Sequence, residues 1–290
     1  MVCWKNEVNA MQTTFEHAPY TAQRLTDGVW HIEDATRDRP PGLQRDGSFH
    51  GPGSVYVLEG TDAVLVVDLG FSYPGHALRE IVDRLADGRA IRVALTHNHF
   101  DHTGALPQFQ DVPIYVPVDD PVPGVAHPIP VRPGDTISWG GLSLQVLDAR
   151  GHTAGSVLYY EAQRGWLATG DAFGSGYAWL FFLPDVLSVY RETLRRTLDF
   201  FRDKPEPLFL CGHRYQQQIT PVPGMDPLTP RNPDLGLAYL EDMLTLTERI
   251  LAGSIQGRPY EALGRTDLLT YTYGRAEIDT YPLGSAPLSI

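Results

Sequence analysis

Three histidines and an aspartate fall within one short segment, His97-Asn98-His99-Phe100-Asp101-His102. Imidazole nitrogens and carboxylate oxygens are good ligands for zinc and related divalent metals. If the chain stays extended there, His97 and His99 point the same way, as the period of two requires. Asp101 and His102 follow as the chain turns toward Gly104, and neighbours at such a turn face different directions. One segment can therefore serve two adjacent metals. Single polar residues recur in similar settings at Gly151-His152, Gly170-Asp171 and Gly212-His213, each after an apolar run. A lone histidine in a loop is ordinarily just solvated. Several strand ends each carrying a potential ligand point instead to a metal site, because open α/β sheets bind ligands at the carboxyl ends of their strands.

The elements that must position these residues are legible from periodicity. Val29-Trp30-His31-Ile32 reads as a strand, and residues 34–53 as a long loop rich in proline, glycine and charge. Residues 54–59 and 63–68 flank Gly60-Thr61-Asp62 as a hairpin. The second strand is apolar on both faces, as a buried strand should be. Residues 75–87 carry Ala77, Leu78, Ile81, Val82 and Leu85 at helical spacing. The strand 91–96 then delivers His97. A short helix is expected at 104–109 and a strand at 114–116. Residues 117–133 form a proline-rich connection. Strands at 142–148 and 156–160 flank His152, the strand 166–169 precedes Asp171, and the strand 208–211 precedes His213. Helices are expected at 186–203 and 234–252, and a last hairpin around Thr270-Tyr271-Thr272-Tyr273. No linker divides the chain. It reads as one α/β domain, with helices packed on both sides of two sheets.

The chain has 290 residues, 42% hydrophobic and 20% charged, with a formal net charge of −12. That composition suits a folded domain with a full core. An acidic surface repels nucleic-acid phosphates and anionic membranes, so neither is expected as a partner. The two cysteines, Cys3 and Cys211, are not expected to pair, which fits a reducing compartment. The first residues lack the apolar stretch of a secretory signal, and no window is long and apolar enough for a bilayer span. The expectation is a cytoplasmic protein with a leader over 1–22 and one domain over 23–290. That domain includes a C-terminal helical extension over about 232–290. Either Met1 or Met11 serves as the start.

Thr96-His97-Asn98-His99-Phe100-Asp101-His102-Thr103-Gly104 resembles the His-x-His-x-Asp-His signature of the metallo-β-lactamase superfamily. Gly151-His152-Thr153-Ala154-Gly155-Ser156 resembles its second motif, and Gly170-Asp171 and Gly212-His213 its third and fourth. Val67-Asp68-Leu69-Gly70 resembles the strand end that precedes its first helix. The resemblance spans about residues 25 to 215. It implies a four-layer αββα sandwich of two mixed β-sheets with helices on both outer faces. It also implies ligand roles. His97, His99 and His152 would hold a first metal, and Asp101, His102 and His213 a second. Asp171 would bridge both, and Asp68 would orient ligands by hydrogen bonds. Two zinc ions are the expected cofactors, with iron or manganese as substitutes.

Such a centre lowers the pKa of a shared water and gives hydroxide near neutral pH. The expected activity is hydrolysis of a small ester, thioester or lactone, with Asp101 orienting the nucleophile and taking part in proton transfer. Ser156 lies outside any Gly-x-Ser-x-Gly elbow and reads as structural, and Cys211 reads as a buried apolar residue rather than a ligand. Phe49 and His50, in the long loop, and Tyr177, Trp179, Phe181 and Phe182, in the aromatic stretch 173–183, are the expected substrate pocket. Arg214 is read as a surface salt-bridge partner. Within the family, glyoxalase II-type thioesterases grip glutathione with basic residues near the C-terminus, whereas this C-terminal region has only scattered arginines. Lactonases carry a tyrosine shortly after the bridging aspartate, where this chain has Gly174. The alternatives are a mononuclear iron oxygenase of the persulfide dioxygenase type, using His97, His152 and Asp171, and a β-lactam hydrolase. The 234–252 helix and the tail offer either a homodimer surface or a cap over the pocket.

Overall fold

The computed structural model describes residues 14–17, 20–34, 53–71, 75–213, 235–285 and 287. Apolar strands dominate the first half and assemble into an eight-stranded sheet. In edge-to-edge order it contains β1 (Thr14–His17), β2 (Tyr20–Thr26), β3 (Val29–Asp34), β4 (Val55–Glu59), β5 (Ala63–Val67), β6 (Ala90–Ala94), β7 (Ile114–Pro117) and β8 (Pro128–Val131). Pairing is antiparallel from β1 to β5 and parallel from β5 to β8. The second sheet holds β9 (Thr136–Trp139), β10 (Leu142–Asp148), β11 (Val157–Glu161) and β12 (Trp166–Gly170), with β14 (Leu208–Cys211) parallel to β12 at one edge. A third sheet of four strands joins β13 (Ala178–Leu180) in parallel to β17 (Ala276–Thr280), followed by β16 (Arg265–Tyr273) and β15 (Arg258–Ala262).

Side-chain alternation explains the layering. Along β5, Ala63, Leu65 and Val67 pack into the core between the two large sheets, while Val64 and Val66 pack on the opposite face. Both faces of this strand are covered, so its sequence is apolar throughout. Tyr56, Leu58 and Ala94 meet Leu144, Val146, Tyr159 and Ala168 of the second sheet in that inner core. On the outer face of the first sheet lies α1 (Leu78–Ala86), which buries Leu78, Ile81, Val82 and Leu85 at three- and four-residue spacing. Two long helices, α3 (Val186–Phe201) and α4 (Leu237–Leu251), cover the other outer face through Tyr190, Leu194, Phe201, Leu240, Met243 and Ile250. This is the expected αββα sandwich of mixed sheets. Among the described residues no helix is long and apolar enough to cross a membrane.

Two expectations need correction. Residues 14–17 and 20–22 belong to β1 and β2, so the leader reading does not hold for them. The C-terminal extension is helical only over α4; β15, β16 and β17 follow it as a sheet that shares a core with α3 and α4 through Tyr260, Leu268 and Ile278. The proline-rich connection also holds a strand, β8, at the sheet edge, where a proline's missing N–H is tolerated.

Candidate metal centre

Strand ends of both sheets converge, and hydrogen bonds between the sheets hold them together. The Val157 N–H donates to the Thr96 carbonyl at 3.0 Å, and the Ser54 N–H to the Gly212 carbonyl at 2.6 Å. The Tyr159 hydroxyl donates to the Leu95 carbonyl and the Tyr56 hydroxyl to the Cys211 carbonyl, each at 2.7 Å. The segments carrying His97, His152 and His213 are thus tied to one another before any ligand is considered. β6 stops at Ala94, and the chain bends at Thr96 and His97 rather than running on as a strand. His97 and His99 still converge, with ring centroids 4.8 Å apart. The four-residue helix α2 (Phe100–Thr103) then turns Asp101 and His102 inward.

The donor atoms fall into two neighbouring groups. His97, His99 and His152 form one, and Asp101, His102, Asp171 and His213 the other, with the donors of each within 4.8 Å of one another. Asp171 faces both: its Oδ1 lies 3.2 Å from His102 Nε2, and its Oδ2 lies 3.1 Å from His213 Nε2 and 3.6 Å from His152 Nε2. Asp101 Oδ2 lies 3.4 Å from His213 Nε2.

Ring orientation is set from behind. Asp68 accepts the Thr96 N–H at 2.7 Å on Oδ1, and on Oδ2 the Thr96 hydroxyl at 2.8 Å and the His102 Nδ1–H at 2.9 Å. With its proton committed to Asp68, the Thr96 oxygen accepts from His97 Nδ1 at 3.0 Å. The Trp179 carbonyl accepts from His152 Nδ1 at 2.9 Å. In His97, His102 and His152 alike the Nδ1 side is occupied by an acceptor, which turns Nε2 toward the centre, the arrangement metal-ligating histidines use. Asp68 adopts a positive φ of 58°, a conformation that aspartate tolerates better than most residues.

The donor set fits a divalent ion. His97 Nε2 is buried and lacks a hydrogen bond among the described residues. Buried polar atoms are rarely left so, and an ion is among the partners that satisfy them. Nitrogen and carboxylate donors at this spacing suit zinc, with bonds of about 2.0–2.2 Å.

The electrostatics divide along the same line. Burial, aided by neighbouring histidines, holds His97 well below the usual imidazole range and His99 down to about 3; burial also lowers His152. These rings are neutral at pH 7 and ready to ligate. In the other group burial also disfavours charge, but the carboxylates outweigh it. Asp171, Asp101 and Asp68 hold His102 well above its ordinary value, and Asp171 and Asp101 raise His213 to about 10. Burial would raise Asp101 and Asp171, yet the histidines win, keeping Asp101 near 2 and Asp171 well below the usual carboxylate range. Without a metal this half is a compact ion-pair cluster.

Close packing protects the geometry. Gly170 has φ +47°, and a Cβ there would lie 2.2 Å from Thr96 Oγ1. Gly170→Ala is therefore expected to destabilise the fold by more than about 1 kcal/mol. It should also weaken metal uptake, because Thr96 orients His97; thermal melts with and without zinc check both effects.

The expected substrate residues fare unevenly. Phe182 lies against the site, its ring 4.9 Å from His99 and 5.2 Å from His152, both edge-on. Trp179 is half-buried and meets Phe181 at 5.4 Å. Tyr177 and Phe181 are both buried, Phe181 within the core shared with α3. Phe49, His50 and Arg214 lie outside the described residues. Phe100, 57% exposed, meets Phe71 at a tilt with ring centroids 5.3 Å apart beside Asp101, an aromatic contact that sequence inspection missed. Also missed were Thr96 as the link between Asp68 and His97, and the buried Asp120 behind the His152 loop.

Comparison with known proteins agrees with this geometry. Residues 49–213 match the family described as the Metallo-beta-lactamase superfamily. A hydroxyacylglutathione hydrolase from Nitrosomonas eutropha is 31% identical over 188 residues, covering 62% of this chain and 68% of that one. Another, from Aeromonas hydrophila, is 36% identical over 169 residues, covering 56% and 61%. Among solved structures, a metallo-beta-lactamase from Pontibacter korlensis superposes with a TM-score of 0.54 at 16% identity, covering 78% of this chain and 98% of that one. A metallo-beta-lactamase family protein from Thermus thermophilus gives 0.55 at 17% identity, with 79% and 82% covered. The structural likenesses speak to the fold, and the sequence likenesses carry the hydrolase activity. This chain is a hydrolase, and it belongs to the metallo-beta-lactamase superfamily.

Proposed function

We propose that the chain hydrolyses a small acyl thioester, using two zinc ions held by His97, His99 and His152 on one side and Asp101, His102 and His213 on the other, with Asp171 shared. The observation that carries this reading is Asp171, whose carboxylate lies between the two donor groups: both oxygens face the second group, at His102 and His213, and Oδ2 also faces His152 of the first. The choice of a thioester over an ester or lactone rests on the relatives named hydroxyacylglutathione hydrolase. A small-molecule substrate and a cytoplasmic setting accord with it.

When bound, metal at these groups supplies an acidified water and a Lewis acid for the carbonyl oxygen. The chain's own residues do the rest. Asp101 has its side chain 19% exposed, whereas His102 is fully enclosed. Its carboxyl, held near 2, is a hydrogen-bond acceptor that orients the attacking water. Addition to the carbonyl carbon, loss of the thiolate and cleavage of the C–S bond give a carboxylate and a thiol. Asp68, through Thr96 and His102, keeps the rings from turning while charge develops. Phe182 presents an apolar edge beside His99 and His152, where it excludes water and faces the acyl group.

The test is hydrolysis of a hydroxyacylglutathione and of simple acyl thioesters by zinc-loaded protein, beside lactones, aryl esters and β-lactams. Thioester cleavage well above the rest is expected; a preference for lactones or β-lactams would contradict the substrate class. Phe182→Ala is expected to raise KM for apolar acyl thioesters by about tenfold, from roughly 1–3 kcal/mol of lost apolar contact. Steady-state kinetics over acyl chains of increasing length check it.

A further inference from the structure

We propose that Asp120 is the positioning residue for the three-histidine half of the centre, clamping the segment that bears His97 and His99 to the loop that bears His152. This rests on the metal centre proposed above.

Asp120 lies in the turn after β7, its N–H donating to the Pro117 carbonyl, and it is only 2% exposed. Its carboxylate collects donors from both ligand-bearing segments. The Gly155 N–H donates to Oδ1 at 2.9 Å, and the Thr153 hydroxyl donates to Oδ2. The Asn98 backbone N–H donates to the same carboxylate. Asn98 stands between His97 and His99, and Thr153 directly follows His152. One side chain therefore touches the immediate neighbours of all three histidines.

The surroundings are built closely around this contact. A Cβ on Gly155 would lie 2.4 Å from the Asp119 carbonyl carbon and from the Asp120 nitrogen, so the His152 loop approaches this turn as only glycine permits. The Thr153 N–H donates to Ser156 Oγ at 3.3 Å, which fixes the loop from its other end. All three donors to Asp120 are neutral, and a buried carboxylate without a cation is costly unless its hydrogen bonds are complete. Both of its oxygens must stay engaged, so neither segment can drift without leaving the other. The work is divided between two carboxylates: Asp68 holds Thr96 and His102 from one side, and Asp120 holds Asn98, Thr153 and Gly155 from the other.

The experiment is zinc affinity by chelator competition on wild type, Asp120→Asn, Thr153→Val and Thr153→Ser, each with a thermal melt. Asp120→Asn keeps the volume but replaces an acceptor with a donor, leaving one of three donors unmatched. It is expected to weaken zinc binding about 10- to 100-fold, as loss of a partner behind a ligand does. Thr153→Val should shift affinity in the same direction, Thr153→Ser should restore it, and the double variant should lose less than the product of the single losses. Unchanged affinity in Asp120→Asn and Thr153→Val overturns the proposal, as does a Thr153→Ser variant as weak as Thr153→Val. If Asp120→Asn does not fold, the two Thr153 variants decide the matter. A wild-type chain that takes up no zinc overturns the metal centre itself and this proposal with it.

Discussion

Replacing Asp171 by alanine is expected to reduce thioester hydrolysis by about 10³-fold, the upper end of the roughly 10²–10³ lost when one preorganised electrostatic stabiliser is removed. Among the described residues no other side chain faces both donor groups in this way: Oδ1 addresses His102, while Oδ2 addresses His213 and His152. Its removal leaves His102 and His213 with less negative charge around them, and burial then pulls both imidazoles back toward neutrality. Asp171→Asn keeps the shape and loses the charge, so it should fall nearly as far. The measurement is kcat/KM of zinc-supplemented protein beside a circular dichroism spectrum. A folded Asp171→Ala variant with wild-type kcat/KM would remove the basis for a shared carboxylate.

Metal uptake should be strongly pH-dependent, and in one half of the site only. Histidine must be deprotonated to ligate, so binding at the Asp101, His102, Asp171 and His213 group displaces protons. Its carboxylates keep His102 charged well above its ordinary value and His213 charged to about 10. Apparent zinc affinity there should rise about tenfold per pH unit for each proton displaced, from near pH 6.5 toward 10. His97, His99 and His152 are neutral at pH 7 and should take up metal without proton release. Calorimetric titrations in buffers of different ionisation enthalpy count the protons, and affinity independent of pH between 7 and 9 would refute the scheme.

The same groups set the stability of metal-free protein. His213, raised in the fold, contributes stability that is complete below its ordinary 6.5 and is lost as pH climbs through about 10. Asp101, depressed, contributes stability present above its ordinary 3.8 and lost as pH falls through about 2. His99 is also depressed, so an unfolded chain that can protonate it gains on the fold as pH drops from 6.5 toward 3. Metal-free protein should thus lose stability above pH 6.5, and zinc should reverse that loss. Melts at several pH values check the sign.

The chemistry of this site is legible in the sequence because its donors sit at the ends of apolar strands in short, distinctive clusters. His97, His99, His102, His152, Asp171 and His213 are each recognisable from their own few neighbours. What escapes is whatever depends on distant partners. β13 has three residues and no periodicity to reveal it; it exists because it pairs with Ala276–Thr280, about a hundred positions away. Thr270 and Tyr271 suggest a hairpin, but not the sheet made when β16 pairs with strands on both sides. Phe181 has the composition of a pocket wall and is buried in the core that α3 and α4 share. Asp120 lies in an acidic turn among prolines, and its importance appears only when two remote segments fold onto one carboxylate. Local pattern finds the ligands and, in Asp68, one residue that aims them, whereas Thr96 and Asp120 are found by contact.

Two metals acting as one centre are tested most directly by titrating chelator-stripped protein with zinc while following bound metal and thioester hydrolysis together. Activity should reach its plateau at two zinc ions per chain, and His213→Ala should remove one of them together with most of the activity. Full activity at a single bound ion, untouched by His213→Ala, would contradict a shared centre; so would a single iron per chain with oxygen consumed in place of water.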